Sequence, residues 1–195
     1  MSPSPSERVS EATGDPVTSP VPTGEIDHFA RLGLPRLHAI DRDALEDAYL
    51  RLAQQSHPDR FVGASPGEQR AAMERSAALN EGYRVLREPV RRAEYLCKLG
   101  GIDVDSSEPK VGAPAMSQAF LVEMIERREE VASAQAAGAS ALDDLRARVE
   151  DELEDVFDAA VQALGEDRIP EAARSLVERR YLQRLIDEIE QAAEG

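Results

Sequence analysis

A chain of 195 residues with 42% hydrophobic side chains is long enough for one or two packed domains, and 4% aromatics with no Trp disfavours a sheet-rich fold. No apolar run approaches the roughly 20 residues needed to cross a bilayer, and a single cysteine, Cys97, excludes an internal disulfide or a thiolate cluster. The net charge of −15 is unevenly divided: residues 1–24 carry −2, residues 25–99 balance, and residues 100–195 carry −13, which argues against binding nucleic acid or an anionic membrane surface.

Residues 1–24, MSPSPSERVSEATGDPVTSPVPTG, have almost nothing to bury and are expected to form a disordered tail. The segment lacks the apolar core of a secretory signal, and three acids to one Arg do not suit a mitochondrial presequence, so the cytoplasm is the expected compartment. A short helix follows, with Ile26, Phe29 and Leu32 at helical spacing and Gly33 near its end. Asp41 reads as the N-cap of a second helix whose buried face carries Leu45, Tyr49 and Leu52. That helix must stop near His57, because Pro58 disfavours the α region in the residue before it.

The chain restarts at Ser65-Pro66-Gly67-Glu68, a capping box with Pro at the first helical position. The third helix places Ala72, Ser76, Leu79, Tyr83 and Leu86 on one face, so it packs antiparallel to the second and leaves the connecting loop at the tip. A fourth helix, RRAEYLCKL, runs to Gly100-Gly101. Residues 101–116 read as a linker, and helical patterns over about 117–137, 140–164 and 169–192 close most simply as a three-helix bundle. The middle pattern is a clean stripe from Leu142 to Leu164, whereas on the last one Leu182, Leu185 and Ile189 drift off the face of Ile169, Ala173 and Leu176. The expected fold is therefore all-α, with a helical domain over 25–100, a linker, and a three-helix domain over 117–195.

Little of this composition suits catalysis. No Gly-rich phosphate loop or nucleophile elbow is present, and His28, His38 and His57 are not at metal-ligand spacing. Cys97, flanked by Leu96 and Leu99, reads as a packed hydrophobe, and the pairs Asp143-Asp144 and Asp151-Glu152 read as solvated surface. His57-Pro58-Asp59 in a helix–helix loop is by itself only a turn. A hydrolase using His57 and Asp59 is disfavoured, since Pro between them restricts their geometry and no nucleophile is apparent.

The surroundings of that turn resemble the J-domain family of DnaJ-like co-chaperones. Ala48, Tyr49, Leu52 and Ala53 precede it, and Ala77, Asn80, Tyr83, Val85, Leu86, Pro89, Arg92 and Tyr95 follow in the family's order, with Gly82 in place of the usual Ala. The resemblance implies that His57, Pro58 and Asp59 dock on a DnaK-type chaperone and trigger its ATPase, with Arg51 and Arg60 as weaker contacts. The second helix bears only Arg42 and Arg51 against Asp43, Glu46 and Asp47, unlike the basic helix of many J-domains, which favours a dedicated partner.

In the second half, Ala119–Val131 is too apolar for a single stripe. Phe120, Met124 and Val131 fall within about 40° of each other and can enter a bundle. Leu121, Val122 and Ile125 face elsewhere, flanked by Glu126 and Glu129; they either pack on the first domain or form an exposed, acid-edged patch. LGLP (Leu32–Pro35), HPDRF, RAEYL (Arg92–Leu96), the run Ala119–Glu130 and RYLQRL (Arg180–Leu185) together resemble the iron–sulfur cluster co-chaperone HscB family over residues 26–190. The resemblance implies delivery of an IscU-type scaffold protein to HscA, a dedicated DnaK-type chaperone. It also implies that Leu121, Val122, Ile125, Glu126, Glu129 and Tyr181 grip the scaffold, with Arg127 standing where an apolar residue is expected. The zinc-binding cysteine pairs of some eukaryotic relatives are missing, so no metal or other cofactor is expected. A J-domain adaptor for a different client is the alternative.

Overall fold

The computed structural model describes residues 26–108 and 110–194, so the tail expected over 1–24 lies outside the described residues. The first helix, α1 (His28–Leu32), is capped by Asp27, whose carboxylate accepts from Ala30 N–H at 2.9 Å and from Arg36 Nε at 3.1 Å. Burial raises the Asp27 pKa, but the bonds from Ala30 and Arg36 outweigh it and hold the carboxyl below its ordinary range. Gly33 ends the helix at φ 70°, where a side chain would be strained. Ile26 does not join the apolar face as its spacing suggested: it precedes the cap and is 64% exposed.

Helices α2 (Arg42–Ser56) and α3 (Pro66–Arg87) begin where their caps predict, at Asp41 and at a complete Ser65–Glu68 capping box. They form an antiparallel hairpin in which the Tyr49 ring stacks on Tyr83 at 4.1 Å and the Tyr49 hydroxyl donates to Asn80 Oδ1 at 3.0 Å. Phe29 and Leu32 are fully buried against this hairpin, each contributing about 1.5–3 kcal/mol of apolar burial. Gly82 has a packing reason: a Cβ there would sit 3.3 Å from His28 Nδ1, so its absence lets α1 approach α3. After α4 (Pro89–Leu99) has begun, Arg92 reaches back and donates to Leu86 O at 2.5 Å, satisfying a carbonyl at the end of α3.

Residues 102–116 hold an isolated bridge between Asp103 and Gly112, where a Cβ on Gly112 would lie 2.4 Å from Ser106 O. Helices α5 (Gln118–Ala137), α6 (Ala139–Gly165) and α7 (Ile169–Glu194) then pack mutually, joined first by Gly138 at φ 106°. Their core holds Phe120, Met124, Val131, Leu142, Leu145, Val149 and the last four buried residues of α7, Leu182, Leu185, Ile186 and Ile189. The drift of the apolar face along α7 has a cause. Its first half buries Ala172, Ala173 and Leu176 in a different cluster, with Ala93 and Cys97 of α4, Val104, and Ala160 and Ala163 of α6.

That second cluster fastens the two halves together. Ile169 approaches Gly100 so closely that a Cβ on the glycine would be 2.9 Å away. Arg180 of α7 bonds Glu94 of α4 at 2.6 Å, Val104 O at 3.1 Å and Asp105 at 2.8 Å. His38 meets the Phe157 ring of α6 edge-on at 5.6 Å. Burial pushes the Cys97 thiol up to about 11, with Glu94 adding to it, so it behaves as packing rather than as a nucleophile.

Candidate functional site

Two surfaces are presented to solvent, one by a loop and one by a helix face. In the first, α2 ends at Ser56 because His57 takes an extended ψ of 128° ahead of Pro58. Pro58–Phe61 then form one turn of 3-10 helix, closed by a bond from Arg60 N–H to His57 O at 3.0 Å. His57 caps that turn: its Nδ1 accepts from Asp59 N–H at 3.3 Å. Asp59 Oδ2 lies 3.5 Å from the same nitrogen. The two side chains are 59% and 84% exposed, so the loop spends them on no core. An exposed imidazole and a carboxylate able to accept from a cation are what this tip offers a partner. Arg51 on α2 and Arg60 in the turn are exposed beside it.

The second surface is the outer side of α5. Ser117 caps the helix by accepting from Phe120 N–H at 3.1 Å, and Phe120, Met124 and Val131 turn into the bundle. Leu121, Val122 and Ile125 are 40%, 48% and 58% exposed, with Glu126 and Glu129 exposed on their flank. The alternative packing of these residues on the first domain is not adopted, since α4 fills that role against α6 and α7. Tyr181 of α7 stands at the patch's edge, half-buried, with Phe120 edge-on against it at 5.5 Å. Arg127 does not border the patch at all. It turns the other way, pairing with Glu123 at 2.8 Å and with Glu152 of α6 at 2.6 Å. Glu152 is thereby an ion-pair partner and not the free solvated acid its neighbourhood suggested. Two cations around the patch were not singled out from the sequence: Arg128, paired to Glu188 at 3.1 Å, and Arg184, 5.8 Å over the Tyr181 ring. The three-residue step from Tyr181 to Arg184 was the available signal.

Comparison with known proteins agrees with both halves. The DnaJ domain family matches residues 27–95, and the HSCB C-terminal oligomerisation domain matches residues 116–190. A co-chaperone protein HscB homolog of Aromatoleum aromaticum is 39% identical over 171 residues, covering 87% of this chain and 94% of that one. Among solved structures, the chaperone HscB from Vibrio cholerae superposes with a TM-score of 0.67 at 27% identity, over 87% of this chain and 98% of that one. The crystal structure of human co-chaperone protein HscB gives 0.69 at 26% identity, over 98% and 93%. A helical hairpin with His-Pro-Asp at its tip, fused to a helical bundle, defines a J-domain co-chaperone. Within that class, the chain belongs to the HscB co-chaperone family.

Proposed function

We propose that this co-chaperone stimulates the ATPase of a dedicated DnaK-type chaperone of the HscA kind through His57, Pro58 and Asp59, and delivers an IscU-type iron–sulfur scaffold through α5. The observation that carries the reading is the separation of two exposed surfaces on one molecule. An adaptor needs to hold a client and a chaperone at once, and here each surface sits on its own domain with a packed seam between them. Leu121, Val122 and Ile125 form the apolar centre of the client surface, Tyr181 extends it, and Glu126 and Glu129 make a rim that selects a basic partner. The chain performs no chemistry itself in this reading, and it needs no cofactor.

Steady-state ATP hydrolysis by the chaperone, with and without the scaffold, tests this directly. His57→Gln is expected to abolish stimulation while helical circular dichroism and melting temperature stay at wild-type values, because the loop contributes little to any core. Full stimulation by the variant sinks the reading of the loop.

A second reading of the α5 face has one observation in its favour, the oligomerisation assigned to the matching C-terminal domain family. In that case the apolar patch pairs with a second copy of this chain. Sedimentation across a concentration range separates the two: a dimer abolished by Ala at 121, 122 and 125 supports self-association, and a monomer throughout supports the scaffold.

A further inference from the structure

Helices α5 and α7 run side by side in the same direction. Phe120 meets Tyr181, Arg128 pairs with Glu188, and Gln135 donates to Ala192 O at 3.0 Å. Arg184, three residues beyond Tyr181, therefore stands level with the stretch of α5 that carries Leu121 and Ile125. Leu121, Ile125 and Arg128 recur at helical spacing on the side of α5 nearer α7, the side from which Arg128 reaches Glu188. Val122, Glu126 and Glu129 lie farther round, away from α7. The exposed face thus has two unlike edges, carboxylates on α5 and Arg184 on α7.

The charge of Arg184 is not spent within the chain. Asp187 and Glu188 follow it by three and four residues, the spacing at which a helix can pair an arginine with an acid. Asp187 instead accepts from Gln183 at 3.3 Å, and both oxygens of Glu188 are taken by Arg128, at 3.1 and 3.2 Å. No described carboxylate pairs with Arg184, which is exposed and lies 5.8 Å over the Tyr181 ring. The ring orients the guanidinium beside the apolar patch and leaves its N–H groups to bond outward. In so acidic a half of the chain, an uncommitted cation at the edge of an apolar patch is a means of recognition.

Resting on the reading of this face as the scaffold surface, we propose that Arg184 takes a carboxylate of the docked scaffold in a charge-assisted hydrogen bond, across the patch from a basic group held by Glu126 and Glu129. Apolar contacts supply affinity but are non-directional. Opposite charges on the two edges admit one orientation of the scaffold and reject the reversed one, in which like charges meet. The matching surface is an apolar segment with an acidic side chain at one edge and a basic one at the other.

The test is a calorimetric titration of the purified IscU-type scaffold with the full chain. Arg184→Glu sets a like charge against the scaffold's acid and is expected to raise Kd about tenfold or more. Arg184→Lys keeps the charge and should stay within about threefold of the wild type. Arg87→Glu makes the same charge change at an exposed arginine of the first domain, and should shift Kd by about twofold or less through screened long-range attraction. Each exposed Asp and Glu of the scaffold is then changed singly to Lys. One such variant is expected to bind the wild type more weakly and Arg184→Glu more tightly than the unaltered scaffold does. Melting curves identify any variant that has lost its fold, and Arg184→Gln, with an expected rise in Kd of about fivefold, keeps the test open if Arg184→Glu has. If Arg184→Glu titrates like Arg87→Glu while Ala at 121, 122 and 125 still costs affinity, the role of Arg184 fails and the scaffold surface stands. If Arg184→Glu binds weakly but no lysine variant of the scaffold recovers it, the loss comes from Tyr181 and not from a charge pair, and the proposal fails as well. If the wild type does not bind the scaffold, both fall together.

Discussion

The tip loop and the outer face of α5 are equally open to solvent, yet they are tied to the fold in different ways. The loop is held by local bonds, the cap from Asp59 N–H to His57 and one 3-10 hydrogen bond, and its functional side chains reach no core. On α5 the candidate binding residues share a helix with Phe120, Met124 and Val131, which are core. A loop can change its chemistry without changing stability. A helix with two working faces can do so only if the faces are kept strictly apart, and the arrangement of α5 makes that separation testable.

The largest expected effect comes from the outer face. Replacing Leu121, Val122 and Ile125 together by Ala removes three exposed apolar anchors, each worth on the order of 1–2 kcal/mol of binding, so scaffold affinity should fall by more than about a hundredfold. Melting temperature should hardly move. Calorimetric titration of the scaffold beside a melting curve checks both, and a large drop in stability with intact affinity would refute the assignment of faces. The inner face should do the reverse. Met124→Ala opens a cavity at a site 8% exposed and should cost about 2–4 kcal/mol in denaturant unfolding, with scaffold affinity in the folded fraction nearly unchanged.

The loop's domain offers a sharper contrast, because its stability depends on pH through a residue outside the site. Asp27 caps α1 and pairs with Arg36, and Asp27→Asn should destabilise the protein by about 1–2 kcal/mol at pH 7. The carboxyl's pKa is depressed on folding, so its contribution is complete above the ordinary value near 3.8 and is lost as pH falls through the lower folded value. The gap between wild type and variant should therefore close below pH 3.8. A gap that persists there would mean that the amide fails for a reason other than charge.

Much of this was legible beforehand because it is written in short-range signals. Caps at Asp41 and Ser65, the stop imposed by Pro58, and the stripes of α3 and α6 are local and strong. The seam between the halves was not, because it is built largely from Ala93, Cys97, Ala160, Ala163, Ala172 and Ala173, small residues that carry almost no periodic signal. The drift along α7 was visible, but its cause, two different cores served by one helix, is a tertiary fact. Ile26 fitted a helical spacing and fell outside the helix because Asp27 claimed the cap. On α5 the spacing separated the two apolar faces correctly but left open what covers the outer one. Burial resolves that question in favour of exposure.

The smallest expected effect tests whether the inner side of α5 carries any strain of its own. Glu178 of α7 is half-buried near Glu152 and Glu123, the two acids that hold Arg127. Burial pushes its pKa up, and the charges of Glu152 and Glu123 push it further, against the opposing pull of Arg127 and Arg174. A carboxyl whose folded pKa lies above the ordinary 4.5 favours the folded state when protonated. That stabilising contribution is complete below the unfolded value and is lost as pH rises through the folded one. At neutral pH the ionised Glu178 therefore costs stability. Glu178→Gln keeps the shape and removes the charge, so it should raise stability at pH 7 by less than about 1 kcal/mol, and the gain should vanish below pH 4.5. Scaffold affinity should be unaffected, since Glu123 and Arg127 lie on the side of α5 turned to α6. A loss of stability at pH 7 would instead show that Arg127 needs three acids around it, and that the inner face of α5 is held by charge as much as by Met124.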